Sequence, residues 1–149
     1  MNARLSLDAI RAHLDAALNV TPGSVIVGTA YQRNYLTDFG KVYPAVWVGA
    51  QRLRPQDDGR GYAGMYRQHA AVDVVIRLVV QRYADGVVDS EGALNALHDS
   101  VADAMLAYTP NGASEPFVWQ SSQDGPPAES VITADLTFSA TVTYSKESP

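Results

Sequence analysis

A chain of 149 residues with 46% hydrophobic side chains can bury a real core as one globular domain over residues 1–149, and its eleven glycines and eight prolines are too few for a fibrous or disordered class. With no cysteine it has no disulfide, no thiolate metal site and no cysteine nucleophile, which suits a cytoplasmic setting; no apolar run reaches the ~18 residues that cross a bilayer, so no membrane association is expected. The net charge of −5 conceals a split: residues 1–82 hold ten Lys/Arg against six Asp/Glu, and residues 83–149 hold one Lys against ten Asp/Glu.

Leu7, Ile10, Leu14, Ala17 and Leu18 follow helical spacing and predict a helix over about Leu5–Asn19, with Ser6 as N-cap. The pattern includes Asp8 and Asp15 and does not resemble a signal peptide. Thr21-Pro22-Gly23 ends it. Ser24–Ala30 reads as a short strand and Tyr31–Lys41 as a polar loop. Val42–Arg54 is a second strand, with Tyr43, Ala45, Trp47 and Gly49 on one face, Val46 and Val48 on the other, and Pro44 at its start or edge.

Residues 55–66, PQDDGRGYAGMY, are rich in turn formers. The fifteen residues His69–Tyr83 then contain no turn former at all. As a strand they would span roughly 50 Å, far longer than usual for a small domain. Val72, Val74, Ile76, Leu78 and Val80 make one apolar face, and the second face is mixed. The second and third strands are expected to form a long hairpin with 55–66 at its tip. After the turn Ala84-Asp85-Gly86, Asp89 or Ser90 caps a second helix over about Glu91–Tyr108, with Leu94, Leu97, Val101, Met105 and Tyr108 buried. Asp99 and Asp103 lie opposite that stripe. Like charges four residues apart cost the helix ~0.2–0.5 kcal/mol, as on an exposed face or one awaiting a cationic partner.

Pro116–Ser122 is a short strand carrying Phe117 and Trp119, and Asp124-Gly125-Pro126-Pro127 turns the chain into the alternating strand Ser130–Ser145. The order α-β-β-β-α-β-β lacks βαβ regularity. It predicts an α+β fold: a mostly antiparallel, mixed sheet of about five strands, two helices on one face, and a long projecting β-hairpin.

Chemistry-bearing patterns are weak. Gly59–Gly64 matches G-x-G-x-x-G but neither follows a strand directly nor opens a helix, and Asp57 and Asp58 would repel a phosphate. His13, His69 and His98 share no metal-ligand spacing, and no nucleophile elbow or P-loop is present. Asp57/Asp58 and Asp99/Asp103 read as solvated charge. Catalytic, metal and cofactor sites are therefore expected to be none. The hairpin tip and arms concentrate Arg52, Arg54, Arg60, Tyr62, Met65, Tyr66 and Arg67, residue types enriched at protein interfaces. The charge split admits two readings, either two solvated faces or a head-to-tail contact between copies. Two helices near 22 Å long do not cover a 50 Å ribbon. Part of Val72, Val74 and Ile76, or the tip at Arg60–Tyr66, is then expected to be covered by another subunit.

The ordered features resemble a known family. They are the N-terminal helix, Pro-Ala-Val-Trp-Val at 44–48, VDVVIRLVVQRYADG at 72–86, the helix closing in LAYTPNG at 106–112, Glu-Pro-Phe at 115–117 and TADLTFSATVTY at 133–144. Together they resemble the tail terminator or tail completion proteins of long-tailed, lambda-like and Mu-like bacteriophages. The resemblance implies a mixed sheet flanked by helices, assembled as a hexameric ring that caps the tail tube and then joins the head. It implies a structural virion protein of the tail or neck, made in the host cytoplasm, with no catalytic residues. Its partners would be further copies of itself, the tail tube protein and a head–tail connector or stopper, with DNA only passing through the lumen. Another neck or tube component, such as a stopper, and a small ligand-binding α+β domain are the alternatives.

Overall fold

The computed structural model describes residues 4–20, 25–29, 44–56, 60–62, 65–81, 90–126 and 131–147. Thr21-Pro22-Gly23, the loop Tyr31–Lys41, Asp57, Asp58, the turn Ala84-Asp85-Gly86 and the alternative cap Asp89 lie outside them.

Helix α1 spans Leu7–Leu18. The Ser6 hydroxyl accepts from the Ala9 N–H at 3.1 Å, satisfying one orphan amide of the first turn. Leu7, Ile10 and Leu14 are buried and Leu18 partly so, whereas Ala17 is exposed and lies outside the stripe the spacing predicts. Asn19 closes the helix: its N–H donates to the Asp15 carbonyl, and its side-chain amide clasps Val25 through both N–H (2.7 Å) and C=O (2.8 Å). That clasp delivers the chain into strand β1, Ile26–Thr29.

Strand β2 spans Ala45–Pro55 and pairs in parallel with β1. Pro44 stands just before it, as its missing N–H requires; its carbonyl accepts from the Ile26 N–H. The register shifts between Val48 and Gln51, and within that stretch a Cβ on Gly49 would sit 3.1 Å from the Val75 carbonyl oxygen, so a larger residue would need that backbone to give by a few tenths of an ångström. Strand β3, Arg60–Tyr62, precedes strand β4, Met65–Gln81, in the chain and pairs with its start. The two strands pair antiparallel, Arg60↔Arg67 and Tyr62↔Met65. Strand β4 starts four residues before the turn-free run, because it pairs with β3 on one side and along its whole length with strand β6, Val131–Glu147. Between them come helix α2, Ser90–Leu106, and strand β5, Val118–Asp124.

The fold is α+β: the described residues form two helices and a mixed six-stranded sheet ordered β1-β2-β4-β6-β5, with β3 beside the start of β4. All pairings except β1–β2 are antiparallel. The sixth strand relative to expectation is the three-residue β3.

Both helices lie on one face. Val46 and Val48 of β2, Val72 to Val80 at alternate positions of β4, and Ala134 to Val142 at alternate positions of β6 pack with Leu7, Ile10, Leu14, Leu94, Leu97, Val101 and Met105 in one core. Val72, Val74 and Ile76 are fully buried by their own chain, so they do not wait for a second subunit. The helices divide the sheet's width, α1 over β1 and β2 and α2 over β4, β5 and β6. Segments beyond the helix ends, with Leu5, Tyr108, Ala113 and Phe117, lengthen the cover; Ala113 forms a bridge with Val142. Helix length alone underestimates cover because these flanking residues also pack. Past Ala70 the β4–β6 ladder runs on for five residues, roughly 16 Å, through exposed Arg67 and His69 to the Met65–Glu147 pair. Only this distal part of the hairpin outreaches the core. On the opposite face Ala45, Trp47, Val79 and Val131 form a smaller buried cluster.

Candidate assembly interface

The residues singled out in the sequence fall into two separate groups. Arg52 and Arg54 sit on distal β2, paired in register with Asp73 and Ala71, on the face turned away from the helices. Arg60 and Tyr62 lie on β3, and Met65, Tyr66 and Arg67 open β4, so the pairing gathers all seven at one end of the sheet. Asp99 and Asp103 lie on the exposed side of α2. The chain does not bring the acidic group to the basic one.

What the chain does with its charges separates them further. Arg11 pairs with Asp8 at 2.8 Å. Arg54 grips Asp73 with two hydrogen bonds of 2.9 Å, and Arg77 grips Asp135 at 2.8 and 2.9 Å across β4 and β6. The Arg54 hydrogen bond chiefly holds the Asp73 carboxyl below the usual carboxylate range, aided by a Ser139 hydrogen bond and the Arg54 and Arg52 charges and opposed by burial. The same pairing raises Arg54. Among the described residues, Arg52, Arg67 and Asp103 make no ion pair, and Asp99 meets only the His98 ring at 3.3 Å. Internal pairing thus removes the charges near the middle of the sheet and leaves basic groups at its distal end and acidic groups on α2.

Two of the three histidines hold packing contacts. His13 on α1 lies 2.8 Å from the Ala104 carbonyl of α2 and stacks on Tyr108 at 4.3 Å, tying the two helices together. His98 on α2 reaches the Ser122 hydroxyl of β5 at 2.8 Å and meets the Trp119 ring edge-on. No group of three metal-ligating residues occurs among the described residues, and no helix there is long and apolar enough to cross a membrane. An open cavity of about 440 Å³ lies between the start of α2 and the turn after β5; its polar lining is Glu91, Asn95, Asp124 and Thr133.

Several features escaped the sequence. Arg77 and Asp135 stand on polar faces of two alternating strands, but only the register, 58 residues apart, makes them partners. The side chain of Gln51 clasps the Leu5 backbone through both its N–H and C=O, each at 2.9 Å. Strand β5 is an outer strand, exposed along its whole length.

Among the described residues the arrangement is a one-faced helical cover over a mixed sheet, an exposed outer strand and charge left over at two separate places, with no catalytic constellation: an α+β domain whose distinguishing features are surfaces. The comparison with protein families sharpens that class: the family model described as phage tail terminator protein matches residues 1–148, and the chain belongs to this family. Its role is structural, in a phage tail, and its place is the tail of the virion. No curated protein matches the chain significantly.

Proposed function

We propose that copies of this chain assemble head to tail into a ring of about six that caps the tail tube, ends its polymerisation and offers the surface to which the head connector or stopper binds. The observation that carries the reading is the separation of charge: basic Arg52 and Arg67, without an ion pair among the described residues, at the distal end, and on α2 acidic Asp103, likewise without one, beside Asp99, which meets only the His98 ring. Surfaces of opposite sign on one chain favour a heterologous contact, which closes into a ring when its rotation allows. Arg60, Tyr62, Met65 and Tyr66 at the tip belong to the same interface, either with the next copy or with the tube. The acidic excess in residues 83–149 suits a lumen through which DNA passes without sticking. The role is non-catalytic and needs no cofactor. Adding the protein to polymerising tube protein and measuring tube lengths by electron microscopy tests it. Growth should stop, with a ring visible at one tube end; tubes that grow unchanged and carry no ring would contradict it.

A further inference from the structure

Strand β4 lies in the middle of the sheet, with β2 on one side and β6 on the other. Its helix-facing residues, Val72, Val74, Ile76, Leu78 and Val80, are all buried in the core. A row of such similar residues hardly records where the strand stops along its own axis. A shift by one place would turn the row to the wrong face. A shift by two keeps the face and exchanges one branched aliphatic for another of similar volume, a change that cores tolerate. It would still carry the distal hairpin about 7 Å along the sheet. Something besides the apolar pattern has to choose between these registers.

The other face of β4 holds that information. It reads Ala71, Asp73, Val75, Arg77, Val79, with two charges of opposite sign four places apart. Arg77 stands directly opposite Asp135 of β6 and donates two hydrogen bonds to it, of 2.8 and 2.9 Å. Asp73 stands between Arg52 of β2 and Ser139 of β6; it accepts two hydrogen bonds from Arg54 and one from Ser139. Sliding β4 by two places sets Val75 or Val79, according to direction, opposite Asp135 and strips that carboxylate of its arginine. Sliding it by four sets Arg77 opposite Arg52 in one direction and Asp73 opposite Asp135 in the other, like charges face to face.

We infer that Asp73 and Arg77 are the register pins of the sheet: with Arg54 and Asp135 they select, among the placements that the apolar face accepts, the one that sets the distal hairpin where it is. Ion pairs out of full solvent add little net stability, and fixing register is their best-attested use. The pins act within one chain, whether or not copies form a ring, and they fix the reach of the distal hairpin that a ring would use.

Engineered disulfides test this, because the chain has no cysteine of its own. Thr143→Cys is combined with one of three substitutions on the same face of β4. His69→Cys stands opposite it in the present register; Arg67→Cys and Ala71→Cys would stand opposite it after a slide of two. Each pair is made in the wild-type background and in a fourfold variant, Arg54→Thr, Asp73→Thr, Arg77→Thr and Asp135→Thr, threonine being a good strand former. With the pins, the His69→Cys pair should close within one chain. The two slid pairs, diagonal neighbours about 7–8 Å apart, should close slowly. Without the pins, one slid pair should close at least ~10-fold faster than with them, while circular dichroism keeps its strand signal. A folded fourfold variant that still closes only through His69→Cys would overturn the inference. If the fourfold variant loses its fold, Arg77→Thr with Asp135→Thr is read with the same three pairs: a slid pair that speeds up supports the pins, and none that does overturns them. Exchanging the partners, Arg77→Asp with Asp135→Arg, should keep the slid pairs slow; fast closure there would also overturn the inference.

Discussion

At the scale of single residues, a few side chains decide how loops are tied to the core. Gln51 holds the segment before α1 against β2 with two hydrogen bonds between residues 46 apart. At about 0.5–1.5 kcal/mol each, Gln51→Ala should cost about 1–3 kcal/mol in urea denaturation. Asp73 sets a pH dependence. Its folded carboxyl titrates below the unfolded value of ~3.9, so its contribution is present above that pH and lost as the pH falls through the folded value. Replacing Asp73→Asn should flatten the stability profile below about pH 5 and leave its shape near neutrality unchanged. Gly112 has φ of +90°, a conformation costly for side chains; Gly112→Ala should cost about 1 kcal/mol by thermal melting although no atom would clash. The Ser6 cap and the place of Pro44 could be read from the sequence because capping and missing donors act locally. The Gln51 and Asn19 clasps could not, because a side chain that binds a distant backbone leaves no periodic trace.

At the scale of elements, alternation and helical spacing carried the reading. Both helices, the long hairpin and the last strand are where the periodicity puts them, since each buries one face against a common core. The ends are less legible. Strand β4 reaches back to Met65 because pairing with β3 and β6 overrides local turn chemistry. The strand centres should dominate stability. Phe138 is fully buried in the core of β6, and Phe138→Ala should cost about 3–5 kcal/mol in denaturant melts. Helix α2 should behave in the opposite way: Asp103→Asn relieves the Asp99 repulsion and should stabilise the dissociated chain by about 0.2–0.5 kcal/mol while weakening assembly. A helix that keeps mutually repelling exposed carboxylates at a small cost in its own stability fits one whose outer face serves a contact.

At the scale of the molecule, the interface candidates were legible as composition and illegible as geometry. The charge split needs only a count. That Arg54 is consumed by Asp73 while Arg52 and Arg67 are left over depends on register, which only the fold supplies. The long ribbon, which the sequence alone casts as needing a second subunit, turns out to be covered at Val72, Val74 and Ile76 by its own chain. The physical case for assembly therefore moves from the middle of β4 to its distal end and to the charge left there and on α2. The most direct measurement is the mass in solution by sedimentation, across concentration and salt. A ring of about six copies of a 16.0 kDa chain is expected, dissociating as ionic strength rises. A single 16.0 kDa species at every concentration, with tube protein present or absent, would contradict it.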